Sequence, residues 1–271
     1  MTKAAPKIRL NMISKAFGAA PATVVAVDGL SLDVRPGEFL AIVGPSGCGK
    51  TTVLNMLAGL ERPTSGCMEM DGKEIVGPGA ERGVMFQDYA LFPWKTVSGN
   101  IGFGLEHGPA GGGLSRAERD ARVARVIELV GLNGSEDKYP HELSGGMKQR
   151  VALARLVANE PDVLLMDEPL AALDAQTRVI LQDELLRIWG QDKPVAQRRT
   201  VVFITHAIDE AVFLADRVVV LSSHPGRLKR IVEIDLPRPR SDATRKSAAF
   251  AELSQSIWEL IREEAYRATL Q

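Results

Sequence analysis

Long apolar runs are missing from this chain of 271 residues. No window approaches 18 consecutive apolar positions, so the sequence offers no segment that crosses a bilayer as a helix. Cysteine is nearly missing too. Cys48 and Cys67 alone cannot build a disulfide scaffold, and they suit a reducing compartment. Neither charge is in excess: 33 Lys and Arg against 34 Asp and Glu leave a net charge of −1. That balance implies no bulk attraction to nucleic acid or anionic lipid. Met1–Pro6 is polar and lacks the apolar centre of a secretory signal. Any membrane role must then come through a partner. What remains is an ordinary globular composition, 45% hydrophobic and 25% charged, enough for one large domain or a domain with a lobe.

Phe39–Val43 is five apolar residues in a row, which predicts a strand buried on both faces, as in a parallel sheet. It runs into Gly44-Pro45-Ser46-Gly47-Cys48-Gly49-Lys50-Thr51-Thr52, the phosphate-binding pattern G-x-x-x-x-G-K-[ST] between a strand and a helix. Gly44, Gly47 and Gly49 let the backbone turn its N–H groups toward nucleotide phosphates. The helix from about Lys50 adds the positive end of its dipole. In this pattern Lys50 reaches the β- and γ-phosphates and the Thr51 hydroxyl takes a place on Mg²⁺.

Val163–Met166 and Val201–Ile204 read as two more buried strands, alternating with helical stretches, so the class is α/β with a parallel sheet. Ile8, Leu10 and Met12 alternate with polar residues, as does Thr23–Val34, which predicts half-buried strands. Asp71-Gly72 predicts a hairpin between Cys67–Met70 and Lys73–Val76. From about 97 to 160 the spacing turns helical, as an inserted lobe. Within it Ser115 and Glu118 form a capping box, and Gly108–Gly113 reads as a surface loop. Asp174 caps a further helix to Trp189. Arg227–Leu236 resembles one more strand, and Phe250, Leu253, Ile257, Leu260 and Ile261 make a packing stripe on a terminal helix.

Polar residues gather where the strands end, the edge at which open α/β sheets bind ligands. Asp167 follows Val163–Met166 and can hold Mg²⁺; Glu168, next to it, can direct the water that attacks a γ-phosphate. Gln87 ends a short strand at Gly83–Phe86 and could contact Mg²⁺ or the attacking water. His206 ends Val201–Ile204 and could donate to the γ-phosphate. A second glycine-rich helix start, Leu143-Ser144-Gly145-Gly146, is either a plain N-cap or another anion site.

Taken together and in this order, the motifs resemble the ATP-binding-cassette family over about residues 8–236. GPSGCGKTT (44–52) is similar to its phosphate loop, and Gln87 stands in its glutamine loop. LSGGMKQR (143–150) resembles its signature and VLLMDEP (163–169) its Mg²⁺ strand. LAALD (170–174) is similar to its aspartate loop, and His206 to its switch histidine. The resemblance implies a P-loop NTPase core with a mostly parallel sheet, an antiparallel β-lobe and an inserted α-helical subdomain. The nucleotide-binding domain would span 1–240, its helical subdomain about 97–160, with a helical tail at 241–271. It implies ATP and Mg²⁺ as cofactors, with Glu168, His206 and Gln87 catalytic and Thr51, Gln87 and Asp167 at the metal. It also implies a head-to-tail homodimer. Each ATP would lie between one chain's Gly44–Thr52 and the other's Ser144, Gly145 and Gly146, with Asp174 coupling the two sites. Phe17 falls where the family stacks an aromatic on adenine.

A finer resemblance joins GPGAERGVMFQ (77–87), LFPW (91–94) and SSHPGRL (222–228) to the ATPase subunits of taurine, aliphatic sulfonate and nitrate importers. It implies a peripheral protein on the cytoplasmic face of the membrane, bound to permease subunits and served indirectly by a substrate-binding protein. The exposed-looking Leu91, Phe92, Pro93 and Trp94 lie where the family docks a permease helix. The same resemblance implies a tail at 241–271 without the regulatory β-domain of sugar-importer ATPases. Ala207 and Ala171 depart from the usual residues at their positions without touching a primary phosphate contact. A soluble cassette protein acting on nucleic acid or ribosomes is the alternative, and the lack of a basic arm or coiled-coil insertion weighs against it. A small P-loop kinase would leave LSGGMKQR without a task.

Overall fold

The alternation of Ile8 and Leu10 becomes a strand in the computed structural model, which describes residues 5–18, 22–171 and 173–269. β1 (Ile8–Phe17) pairs antiparallel with β2 (Val24–Val34), but its inward face does not continue to Met12. Leu10 lies opposite Leu32 and Ile13 opposite Leu30, so one extra residue bulges out, with Met12 at φ 47°. Ile13 takes the core position that simple alternation assigns to Met12, which is 61% exposed.

β3 (Phe39–Val43) is buried at all five positions. It leads through the glycine-rich loop to α1 (Lys50–Ala58), which Gly59 ends in the left-handed conformation. β4 (Ser65–Met70) lies antiparallel to β1, and Asp71-Gly72 turns it into β5 (Lys73–Glu74), which stops two residues short of the expected Val76.

Residues 80–188 form a unit of their own, apart from the one that holds 1–79 and 189–271. In it β6 (Arg82–Met85) and β7 (Val163–Asp167) pair in parallel. The helical lobe between them is α2 (Val97–His107), α3 (Arg116–Leu129) and α4 (Gly145–Ala158). Each helix starts on a residue suited to it: Thr96 accepts from Gly99 N–H, Ser115 and Glu118 complete the capping box, and Ser144 accepts from Met147 N–H. Gly108–Gly113 is more ordered than a plain surface loop. Pro109–Gly111 forms a 3-10 turn whose buried Gly111 lies so close to the Leu105 carbonyl that a Cβ would stand 1.7 Å from it. α5 (Ala175–Trp189) starts from Asp174, which accepts from the N–H groups of Gln176 and Thr177.

The unit that holds β3 is completed by β8 (Thr200–Ile204), α6 (Ile208–Leu214), β9 (Arg217–Leu221) and β10 (Leu228–Glu233). β3 runs parallel to both β8 and β9, and β10 lies antiparallel outside β9. β8 and β9 are as fully buried as β3, the continuous apolar pattern of strands covered on both faces. The core centres on Phe39, whose ring meets Trp189 edge-on at 5.8 Å and Phe203 at 5.7 Å. Beneath it a bidentate ion pair joins Glu38 to Arg217, both buried. α7 (Asp242–Arg245) and α8 (Ala248–Thr269) follow, α8 packing on α6 and β9. Of the expected terminal stripe, Ile257 is fully buried and the rest half-buried. The architecture is α/β, with an antiparallel sheet β2-β1-β4-β5 beside the parallel strands.

Candidate nucleotide-binding site

The loop between β3 and α1 turns on Gly47 and Gly49, at φ 77° and 85°. Neither conformation suits a residue with a Cβ, and at Gly49 a Cβ would also stand 2.7 Å from the Ala26 carbonyl. The loop thus rests on β2. Lys50 folds back over it, its Nζ donating to the carbonyls of Gly44 and Pro45, each at 2.9 Å. Cys48 is buried, with its Sγ 3.9 Å from Nζ; burial pushes its thiol up, and the Lys50 charge offsets part of this. α1 begins without a side-chain cap and without an acid in its first turn. Its first N–H groups, which have no partner within a helix, carry the positive end of the dipole beside the Lys50 ammonium. This cradle fits an anion with several oxygens. Thr51 is exposed and Thr52 half-buried at its rim; Pro45 is half-buried and Ser46 exposed.

His206 is exposed two residues beyond β8. The buried Thr205 before it donates to Glu210 at 2.7 Å and accepts from Ala207 N–H at 3.0 Å, which fixes the turn that presents the imidazole. Phe17, at the end of β1, is 41% exposed with the Lys15 ammonium 5.0 Å from its ring. Ala19, Ala20 and Pro21 lie outside the described residues.

The other expected site residues belong to the unit of residues 80–188. Asp167 is buried at the end of β7, and Glu168 follows half-buried at φ 46°. A non-glycine residue there costs on the order of 1–3 kcal/mol, a strain typical of sites where side-chain direction matters. Gln87 is exposed two residues past β6. Tyr89 and Ala90 next to it also have positive φ, 56° and 45°.

Two residues that composition and motifs did not single out hold this segment. Arg155 on α4 donates to the carbonyls of Tyr89 and Ala90, both at 2.6 Å. Asn100 on α2, fully buried, accepts from Phe92 N–H at 2.8 Å and lies within 3.2 Å of the carbonyls of Phe92, Lys95 and Thr96. A polar residue at a helical core position was the available signal. The segment closes an aromatic cleft of about 510 Å³ lined by Phe86, Phe92, Phe103, Leu156 and Arg155. Trp94 stands beside Phe92, 71% exposed.

Ser144, Gly145, Gly146 and Asp174 do come together. With Arg150 and Thr177 they line an open cleft of about 440 Å³ at the start of α4. Hydrogen bonds from Thr177 and Gln176 hold the Asp174 carboxyl below the usual carboxylate range. Ala172, inside the expected aspartate loop, lies outside the described residues.

Residues 27–171 match the ABC transporter family. The chain is similar to an uncharacterised ABC transporter ATP-binding protein of Methanocaldococcus jannaschii, 51% identical over 97% of this chain and 94% of that one. It is also similar to an aliphatic sulfonates import ATP-binding protein of Bacillus licheniformis, 44% identical over 92% of this chain and 91% of that one. Among solved structures, a dimeric ATP-binding cassette in a post-hydrolysis state with ADP and Pi matches with a TM-score of 0.74 at 29% identity, covering 85% of this chain and all of that one. With a cradle for phosphates at the start of α1 and matches of this extent, the chain belongs to the ABC transporter family and is an ATP-binding-cassette ATPase of the P-loop NTPase fold.

Proposed function

We propose that the chain is the ATP-hydrolysing subunit of an importer for a small anion, taurine or another alkanesulfonate first and nitrate second. Similarity over 92% of the chain to an aliphatic sulfonates import ATP-binding protein is the observation that carries this reading. Nitrate rests on the motifs at 77–87, 91–94 and 222–228 and on similarity to two nitrate import ATP-binding proteins, at 48% and 42% identity. No described helix is long and apolar enough to cross a membrane, so solute passage falls to permease subunits. Their docking place is the cleft lined by Phe86 and the half-buried Phe92, with the exposed Trp94 beside Phe92, on a segment anchored by Asn100 and Arg155. The chain then acts as a peripheral protein on the cytoplasmic face of the membrane, with a substrate-binding protein on the other side.

In this reading Gly44–Thr52 binds the ATP phosphates and Phe17 stacks on adenine. Mg²⁺ fits the donors available: the exposed Thr51 hydroxyl, the Asp167 carboxylate and the Gln87 amide are oxygen ligands. No group of three His, Cys, Asp or Glu exists among the described residues. Mg²⁺ does not need one: a single carboxylate with neutral oxygens, water and phosphate completes its shell. Bound there, it would neutralise charge on the β- and γ-phosphates. Glu168 accepts the proton of the attacking water, His206 donates to the γ-phosphate, and Gln87 orients the water. Two copies close head to tail over two ATP molecules, the dipole of α4 behind Ser144, Gly145 and Gly146 facing the partner's γ-phosphate and Asp174 linking the sites. Domain limits at 1–240, with the helical subdomain at about 97–160, and a tail at 241–271 belong to the same reading.

The test is ATPase stimulation of the assembled permease complex by solute-loaded binding proteins. Stimulation by an alkanesulfonate and not by nitrate supports the first choice. Stimulation by nitrate alone transfers the assignment, and co-purification with ribosomes or DNA in place of a permease overturns it.

A further inference from the structure

The phosphate loop is held from behind by a segment that the nucleotide reading does not use. Ser222–Arg227 joins β9 to β10 and runs along the loop. His224 Nδ1 lies 3.3 Å from the Gly47 carbonyl oxygen; the carbonyl can only accept, so the imidazole donates. Gly226 passes so near the Cys48 carbonyl that a Cβ would stand 2.0 Å from it. Its N–H donates to Ala26 and its carbonyl accepts from Asp28 N–H, so the segment is also stitched to β2, on which Gly49 rests.

The far side of this strap is fixed by one buried carboxylate. Glu264, on the last turns of α8, is 3% exposed. Its Oε2 accepts from Ser223 N–H at 2.9 Å and from Ser223 Oγ at 3.2 Å. Its Oε1 pairs with Lys229 at 3.0 Å, and Lys229 Nζ also donates to the Leu260 carbonyl and to Glu263. A buried charge so fully bonded to one segment fixes that segment's position rather than merely filling space.

We propose that Glu264 is a positioning residue for ATP binding: through Ser223 it sets the strap, and through His224 and Gly226 the strap sets the phosphate loop. α8 is therefore part of the nucleotide-binding apparatus, although none of it touches that loop in the contacts described above. The inference rests on ATP occupying Gly44–Thr52.

ATP affinity of the full chain, measured by titration calorimetry well below the melting temperature, tests it. Glu264→Ala should weaken ATP binding about tenfold, the scale of one lost charge-assisted hydrogen bond. Glu264→Gln, which keeps an acceptor for Ser223 but loses the charge facing Lys229, should lose about threefold. His224→Ala should weaken binding too, and the double variant should fall short of the product of the single effects, since both act through one strap. A role confined to stability would lower the melting temperature, leave affinity unchanged and give multiplicative effects; that result overturns the proposal. Should Glu264→Ala fail to fold, wild-type affinity in Glu264→Gln overturns it equally. A wild-type chain that does not bind ATP would instead refute the nucleotide site itself.

Discussion

Arg155 supports the segment that carries Gln87, and its loss should be felt there first. Two bonds from a guanidinium to the Tyr89 and Ala90 carbonyls, both at 2.6 Å, contribute about 1.5–3 kcal/mol each. Against them stands the strain of two non-glycine residues at φ 56° and 45°, about 1–3 kcal/mol each. The two effects are of similar size, so the bonds roughly offset the strain, and without them the strained turn keeps only its own backbone bonds and the Asn100 anchor at Phe92. Arg155→Met keeps the aliphatic stem and removes the donors together with the guanidinium that lies over the Phe92 ring, 5.7 Å from its centroid. Hydrogen exchange at residues 87–92 should then accelerate by at least tenfold, equivalent to about 1.4 kcal/mol of lost local stability. ATP turnover should fall, while ATP affinity, which the proposed function assigns chiefly to Gly44–Thr52 and Phe17, should change by less than about twofold. Arg155→Lys, a single point donor, should recover only part of the protection. If Arg155→Met exchanges and turns over like the wild type, the turn does not depend on Arg155 and the reasoning fails.

Other outcomes follow from the same chemistry. Arg217→Met strands the buried Glu38 carboxylate and should cost about 3–5 kcal/mol in urea unfolding, whereas Glu38→Met with Arg217→Met should recover most of it; a double variant no better than the single one would contradict this. Phe17→Ala should raise the KM for ATP about fivefold, the equivalent of about 1 kcal/mol of stacking, with kcat unchanged; an unchanged KM removes Phe17 from the adenine site. Burial raises the Glu264 carboxyl, but bonds from Ser223 and Lys229 outweigh it and hold it below the ordinary range. The folded value being the lower one, the stability gap between wild type and Glu264→Ala should be fully present above about pH 4.3 and close as pH falls further. Thermal melts at stepped pH check this, and a gap that widens on acidification would reverse the sign.

What the sequence made legible was whatever depends on local pattern. Phe39–Val43 announces a doubly covered strand because all five residues are apolar, and Gly47 and Gly49 announce a turn that only glycine makes easily. Capping at Ser115, Ser144 and Asp174 follows the same logic. What depends on contacts between distant segments did not show. The bulge that puts Ile13 in place of Met12 is set by pairing with β2. Gly111 is buried by the Leu105 carbonyl, which its glycine-rich neighbours do not signal. Arg155 and Asn100 read as an ordinary helical cation and amide until the carbonyls they serve, up to 66 residues away, are in place. Glu264 is hidden for the same reason, being 41 residues from Ser223.

The central claim is that this cassette binds ATP to close a dimer and hydrolyses it to open one. Glu168→Gln removes the proposed proton acceptor while preserving the size and place of the side chain, so turnover should drop by about 10²-fold or more with ATP binding retained. Sedimentation of that variant should show a dimer with Mg-ATP and a monomer with Mg-ADP. A variant that hydrolyses at the wild-type rate, or binds ATP and stays monomeric, would contradict the account.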